Sequence, residues 1–237
     1  MLPRLSIVFS SLNEESNPFF VKSLERLSKH NACEVICVDG GSEDKTEQIV
    51  KDNGAKFIST NQNMRSERLN TGIKAALANL VLLHHPRSLI EDQGIEYLID
   101  NAEKLKWGAF RHSFNNPNLA LKITSWYSNQ IRGKLKEIYY LDHCIYCQKE
   151  ILEQAGLIDP VAIFEDTLLS KKLSKIAKPK LLVFKTTTSA IRFEQNGIFR
   201  QVLLNQYLKL KFQLGFSKDK MNQLYEKGIE LNSKYKK

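Results

Sequence analysis

The sequence predicts an α/β fold: a doubly wound, mostly parallel sheet flanked by helices, with a helical C-terminal appendage. Three observations predict it. From Leu5 to His84, short apolar runs alternate with segments of helical period, and the connections have the length that parallel strands require. The stretch EVICVDGGSEDKT, Glu34 to Thr46, reads as a buried strand running into Asp39-Gly40-Gly41-Ser42, with a helix opening near Asp44. A carboxylate at the end of a buried strand, two glycines and a helix N-terminus make a nucleotide-sized crevice in an open sheet. No internal repeat, low-complexity tract or interdomain linker breaks the chain, so residues 1–195 read as one domain and residues 196–237 as a helical appendage packed on it.

Leu5 to Ser10 reads as the first strand. A polar loop, Ser11 to Pro18, leads to Phe19, Phe20, Leu24 and Leu27 at helical spacing. Glu34 to Val38 is the second strand. Thr46 to Asn53 is helical and closed by Gly54. Lys56 to Ser59 is the third strand, Arg65 to Leu77 a helix with Leu69, Ile73 and Ala76 on one face, and Leu80 to His84 the fourth strand. Ser88 and Glu91 have capping-box spacing, which predicts a helix from Leu89 to Leu105. Trp107 to His112 reads as strand. Asn118 to Arg132 reads as an amphipathic helix carrying Leu119, Ile123, Trp126, Tyr127 and Ile131. Tyr139 to Cys147 returns to strand, and Lys149 to Ala155 is a short helix stopped by Gly156. Glu165 to Ile176 is a helix whose acidic first turn suits the helix dipole. Leu181 to Phe184 is a strand. Ile198 to Leu214 is rich in Phe, Leu and Tyr, a last helix starts at Ser217, and the Lys-rich tail is expected to fray.

At 237 residues the chain can bury a sizeable core, and its formal charge is +9. That charge implies an anionic partner: a phosphorylated substrate, an acidic membrane surface or nucleic acid. No helix-turn-helix, zinc finger or stacking platform supports nucleic acid, which is therefore not expected. No apolar run reaches the roughly 18 residues that span a bilayer. The N-terminal run Leu5 to Phe9 is too short for a secretory signal, and Asn13-Glu14-Glu15 follows at once. A cytoplasmic protein, peripheral to the inner face of the membrane, is expected. The spacing His143-Cys144-x-x-Cys147, with Cys33 and Cys37, raises zinc. Residues three apart on a strand face opposite sides, however, so the expectation is free thiols.

Three loops converge on one sheet edge: Ser10-Ser11-Leu12-Asn13-Glu14, Asp39-Gly40-Gly41-Ser42, and the helix start at Arg65. Asp39 suits a uracil imide or ribose hydroxyls, and Arg65 suits phosphate. Singly, Asp39 also reads as a turn former and Arg65 as a solvated helix start.

SIVFSSLNEE, EVICVDGGSEDKT and NMRSERLNTGIKAA, in this order and spacing, resemble glycosyltransferase family 2, inverting nucleotide-sugar transferases of the GT-A fold. FEDTLLSKKL and TTTSAIRFEQNGIFRQVLLNQYLKLKFQLGF resemble a bacterial subfamily with an ED helix, a Thr-Thr-Ser-Ala segment and a basic, apolar C-terminal helix. The resemblance implies a GT-A-like sheet and a site. Ser10, Leu12 and Glu14 fall on the nucleoside-binding loop, with Ser10 replacing its proline. Asp39, with Gly41 beside it, falls on the base-binding aspartate. Arg65 and Asn70 fall on the stretch bordering the diphosphate. Asp166 falls on the catalytic base, with Glu165 adjacent.

Inverting transfer is a single displacement at the anomeric carbon. A carboxylate removes the acceptor proton, and positive charge stabilises the departing nucleoside diphosphate. The family usually holds a divalent metal, Mn or Mg, on an Asp-x-Asp pair after the fourth strand. Here that stretch reads Leu83-His84-His85-Pro86-Arg87-Ser88, and Glu91 and Asp92 come too late to replace the pair. Three readings stay open: Arg87 supplies the charge without metal, His85 ligates a metal weakly, or transfer is lost and binding kept. The metal ligands are thus unknown. The expected partners are a nucleotide-sugar donor, UDP-linked, and a hydroxyl acceptor whose side of the site spans Asn115 to His143. If the C-terminal helix keeps a free face, Arg200, Lys209 and Lys211 favour an anionic membrane surface and a lipid-linked acceptor. The alternative is a non-catalytic nucleotide-sugar-binding protein with a degenerate metal site.

Overall fold

Side-chain alternation along the first strands sorts the core into two layers. The computed structural model describes residues 2–227. In β1 (Leu5–Ser11), Leu5, Ile7 and Phe9 enter one apolar cluster and Val8 the other. In β4 (Leu80–His84), Leu80 and Leu82 face the first cluster, Val81 and Leu83 the second. Strands buried on both faces read as continuous apolar runs. The first layer is completed by α1 (Pro18–Leu27), α2 (Thr46–Asp52) and α4 (Asp92–Asp100). The second is completed by α3 (Arg65–Ala75), α6 (Lys149–Gln154) and α7 (Glu165–Ile176).

The remaining strands are β2 (Cys33–Asp39), β3 (Lys56–Ser59), β5 (Ser88–Ile90), β6 (Trp107–Phe114), β7 (Ile145–Gln148) and β8 (Lys180–Thr188). Among the described residues the sheet has eight strands in the order β3-β2-β1-β4-β7-β6-β8-β5. The β3-β2-β1-β4 half is wholly parallel. In the other half β7 pairs antiparallel with β4 and β6, β5 antiparallel with β8, and β6 parallel with β8. The sheet is therefore mixed and mostly parallel, with helices on both faces.

The C-terminal helices are α8 (Ile191–Asn196), α9 (Ile198–Gln213) and α10 (Lys218–Glu226). Leu208 and Met221 bury against Ile163, with Phe164, Phe212 and Tyr225 around them. A second small cluster joins Phe193, Ile198 and Val202 to Leu121 of α5 (Leu119–Tyr127). The Lys-rich tail lies outside the described residues.

Four local expectations change. The helix predicted over Leu89 to Leu105 is β5 followed by the shorter α4. Ser88 is not a cap: it pairs with Thr188 across the strands, and the two hydroxyls lie 2.7 Å apart. That partner is 100 residues away, beyond any local signal. The strand predicted from Tyr139 begins only at Ile145, after a 3-10 turn at Leu141–His143 and left-handed Cys144. Cys144 and Cys147 do face opposite clusters. The helix over Asn118 to Arg132 is α5 continued by a π-helical segment, Ser128–Leu135. Its apolar row is turned outward, while Leu121, Ser125, Ser128, Asn129 and Arg132 are buried.

Candidate active site

The carboxyl ends of the parallel strands open into a cleft of about 1010 Å³. Its lining comes from Leu12 and Glu14 after β1, Glu43 and Asp44 after β2, Asn63 to Arg65 after β3, and His85 to Arg87 after β4. The strand order reverses between β1 and β4, where α/β sheets place their ligands. The far wall is Tyr140, Asp142 and Asp166, closed by Arg192, Lys209 and Tyr225 from α8 to α10.

Two loops form the near wall and are laced together. Asn13, in the left-handed region, donates its N–H to Ser42 Oγ (2.7 Å) and accepts from Glu43 N–H (2.9 Å). Glu14 N–H donates to Thr46 Oγ1 and Glu15 N–H to Asp44 Oδ2. Asp39 is buried at the centre. Its carboxylate accepts from Gly41 N–H (2.9 Å), Ser42 N–H (2.6 Å), Ser42 Oγ (2.6 Å) and Ser11 Oγ (3.0 Å). Asp39 is thus committed to the turn and is not in the cleft lining. Gly41 sits at φ +97°, a conformation that excludes most side chains. Gly40 leaves room for an arginine: a Cβ there would lie 2.5 Å from Arg68 Nη1.

Arg68 lies one turn after Arg65 on α3 and lines the cleft. Its Nε donates to Ser10 Oγ (2.7 Å) and its Nη1 to the Gln62 and Asn63 carbonyls. Asn70 points elsewhere. Its amide clamps both the N–H and C=O of Ile158, at 3.0 and 2.8 Å, and it does not line the cleft.

The α7 N-terminus supplies the carboxylates. Phe164 at φ +63° turns the chain so that Glu165 and Asp166 bury in the first helical turn. Glu165 Oε1 takes a 2.5 Å ion pair from Arg65, while its Oε2 is buried without a hydrogen-bond partner among the described residues. Asp166 lines the cleft and accepts from Leu141 N–H (3.1 Å) and Thr167 N–H (2.7 Å). Burial, then the neighbouring Glu165 charge, push the Asp166 pKa well above the usual carboxylate range, against the pull of Arg65. Arg65 is held firmly protonated by Glu165 and Asp166, which outweigh its desolvation.

A second polar cluster was not anticipated. Asp142 lies 3.6 Å from His112 Nε2 and 4.0 Å from His143 Nε2, with Arg132 close by. Burial keeps both histidines neutral in the ordinary range, His143 down to about 3. Asp142 is half-buried, and its pKa falls well below normal because the pull of His112 and His143 in their protonated forms, and of the permanent charge on Arg132, outweighs desolvation. Arg132 stacks on Tyr140, 3.4 Å from the ring centre, and Lys209 reaches the same ring at 5.9 Å. The Lys209 ammonium is lowered to about 8 by burial and by Arg132. Spacing offered one clue, the Arg65/Arg68 pair on one helix face. Lys209 and Arg192 come to the cleft only through docking of the last helices.

The segment after β4 does not fit a divalent-metal site. His84 packs on Phe9 and is lowered to about 3 by burial. His85 is lowered well below the ordinary imidazole range by burial, then Arg65 and Arg87, and its Nδ1 accepts the Arg87 N–H. A neutral imidazole, a proline and a cation are poor ligands for a hard ion. No group of three His, Cys, Asp or Glu among the described residues is arranged to hold a metal.

Comparison with solved structures returns glycosyltransferases. S. aureus TarS 1–349 in complex with UDP-GlcNAc matches at TM-score 0.66 and 16% identity, over 98% of this chain and 78% of that one. In two other TarS structures the chain spans 65% and 46% of the relative. Glucosyl-3-phosphoglycerate synthase from Mycobacterium tuberculosis, in complex with Mn2+, UDP and glucosyl-3-phosphoglycerate, matches at 0.59 and 16%, over 85% and 78%. Mannosyltransferase PcManGT from Pyrobaculum calidifontis, in complex with GDP-Man and Mn2+, matches at 0.62 and 16%, over 99% and 72%. At such identity these likenesses establish the GT-A fold. Comparison with curated proteins finds no match. The glycosyl transferase family 2 model matches residues 6–154, and the chain belongs to that family.

Proposed function

We propose that the protein transfers a sugar, with inversion, from a UDP-linked donor to a hydroxyl acceptor, and does so without a metal. The observation that carries this is one cleft lined by Asp166 and, in the segments that follow β3 and β4, by three arginines, Arg65, Arg68 and Arg87. Asp166 takes the acceptor hydroxyl proton as the oxygen attacks the anomeric carbon. The bond from that carbon to the diphosphate breaks, and UDP leaves with the electron pair. The arginines meet the developing charge, the task a divalent metal usually performs in this family; PcManGT was crystallised with Mn2+. Ser10, Leu12, Glu14 and Gly41 shape the nucleoside crevice, and Asp39 organises it through its turn. Glu165 orients Arg65, and Asn70 braces the site from behind. Uridine is favoured because TarS and the mycobacterial synthase were crystallised with UDP or a UDP-sugar.

The acceptor enters past Tyr140, Asp142 and Lys209. A lipid-linked acceptor at the inner face of a membrane suits the basic, apolar helices beside that entrance. No helix among the described residues is long and apolar enough to cross a membrane. The test is UDP release from a panel of UDP-sugars, with the anomeric configuration of the product read by NMR. Asp166→Asn is expected to abolish release while UDP still binds. Equal turnover in that variant would remove the base assignment. The missing acidic pair favours one other reading, a binding protein without transfer. UDP binding with no release from any donor would establish it.

A further inference from the structure

We propose that α5 and α9 together form a face that docks on an anionic phospholipid membrane. Each helix turns an apolar row away from the protein body. On α9 the row is Phe199, Leu203, Tyr207, Leu210 and Leu214, at helical spacing, with Phe199 79% exposed and Leu203 70% exposed. The opposite side of α9 carries Gln201, Leu208 and Lys209, which are buried or line the cleft. On α5 the row is Leu119, Ile123 and Trp126, each more than half exposed. The two helices touch and share the cluster of Leu121, Phe193, Ile198 and Val202.

Exposed apolar rows of this size mark an interaction surface. Charge decides the partner. Neither residues 119–136 nor residues 198–217 contain an aspartate or glutamate. They carry Lys122, Lys134, Lys136 and Arg200, all exposed, and Lys211, while their Arg132 and Lys209 turn inward onto Tyr140. Lys211 lies 4.9 Å from the Tyr207 ring and 4.7 Å from the Phe216 ring. An apolar face with an interfacial Trp and Tyr, on two segments whose only charges are basic, matches an anionic lipid surface. A second copy would bring two like-charged faces together, which opposes self-association. The docking rests on the transfer reading only in that a lipid-linked acceptor would share the membrane; adsorption itself needs no transfer.

The test is flotation of the full chain with phosphatidylcholine vesicles, with and without phosphatidylglycerol. Binding to the phosphatidylglycerol vesicles is expected. Phe199→Ser with Leu203→Ser, and separately Trp126→Ser, should each weaken it roughly tenfold or more. Arg200→Gln with Lys211→Gln should weaken it roughly fivefold per charge and make it less sensitive to salt. Melting temperature and UDP affinity should not change in any of these variants. Failure to float with phosphatidylglycerol vesicles, or flotation unaltered in the serine variants, would overturn the proposal. So would a concentration-dependent dimer lost in the same variants without vesicle binding, which would assign the face to a second copy. Vesicle binding by a protein that ignores UDP would leave the docking intact and remove the transfer reading.

Discussion

Replacing Asp166 by asparagine should change how stability depends on pH. Asp166 is 8% exposed and has Glu165, Arg65 and Asp142 as charged neighbours. Its pKa is raised in the folded protein, so the folded state holds a proton that the unfolded chain releases near pH 4. Its contribution is therefore fully present below about pH 4 and is lost as pH rises through the raised value. The slope in that window is at most about 1.4 kcal/mol per pH unit, or roughly 3–5 °C in Tm per pH unit for a chain of this size. Four histidines, the buried His84, His112 and His143 and the half-buried His85, have lowered pKa values and act with the opposite sign. Their stabilisation is lost as pH falls below about 6.5. Subtracting one protein's curve from the other isolates Asp166. The assay is urea unfolding by tryptophan fluorescence from pH 4.5 to 8.5. The variant should gain on the wild type as pH rises, while an asparagine amide facing the Leu141 or Thr167 N–H sets a constant offset. A difference that stays flat with pH would refute the raised pKa and the burial argument behind it.

The same proton predicts that transfer rises with pH through the raised Asp166 value, rather than reaching its plateau near pH 5; initial rates across pH check this. Asp39→Ala removes four hydrogen bonds of its turn and should destabilise by about 2–4 kcal/mol, with UDP binding lost and partly restored in Asp39→Asn, read by calorimetry. Asn70→Ala should cost about 1–3 kcal/mol of stability and leave UDP affinity unchanged, since its amide holds Ile158 outside the cleft. Gly72→Ala puts a Cβ 2.2 Å from Val8 Cγ1 and should lower stability by about 1–3 kcal/mol through overpacking of α3 on β1, measured by urea unfolding.

The parallel half of the sheet is legible in the sequence because β1, β2 and β4 are buried on both faces, with β3 a short exposed edge, and because each helix closes locally. The Asp39 turn is legible too, although its carboxylate turns out to serve the loop. Ser88 is misread because a capping spacing and an edge strand look alike until Thr188 arrives from the other end of the chain. The α5 helix is misread for a different reason. Its amphipathic period is real, but period alone does not say which face turns inward. Here the polar face, with Ser125, Ser128, Asn129 and Arg132, faces the protein, because it serves the Asp142 cluster. Those side chains meet only after β6, the π-helical segment and α9 are assembled.

The most direct test of metal-free nucleotide-sugar transfer is calorimetric titration of UDP into the protein in EDTA, repeated with manganese and with GDP. The arrangement of Arg65, Arg68 and Arg87 predicts UDP binding of equal affinity with EDTA or manganese, weaker binding of GDP, and a loss of roughly tenfold or more in Arg87→Met. Binding that appears only with manganese, or no binding of either nucleotide, would contradict it.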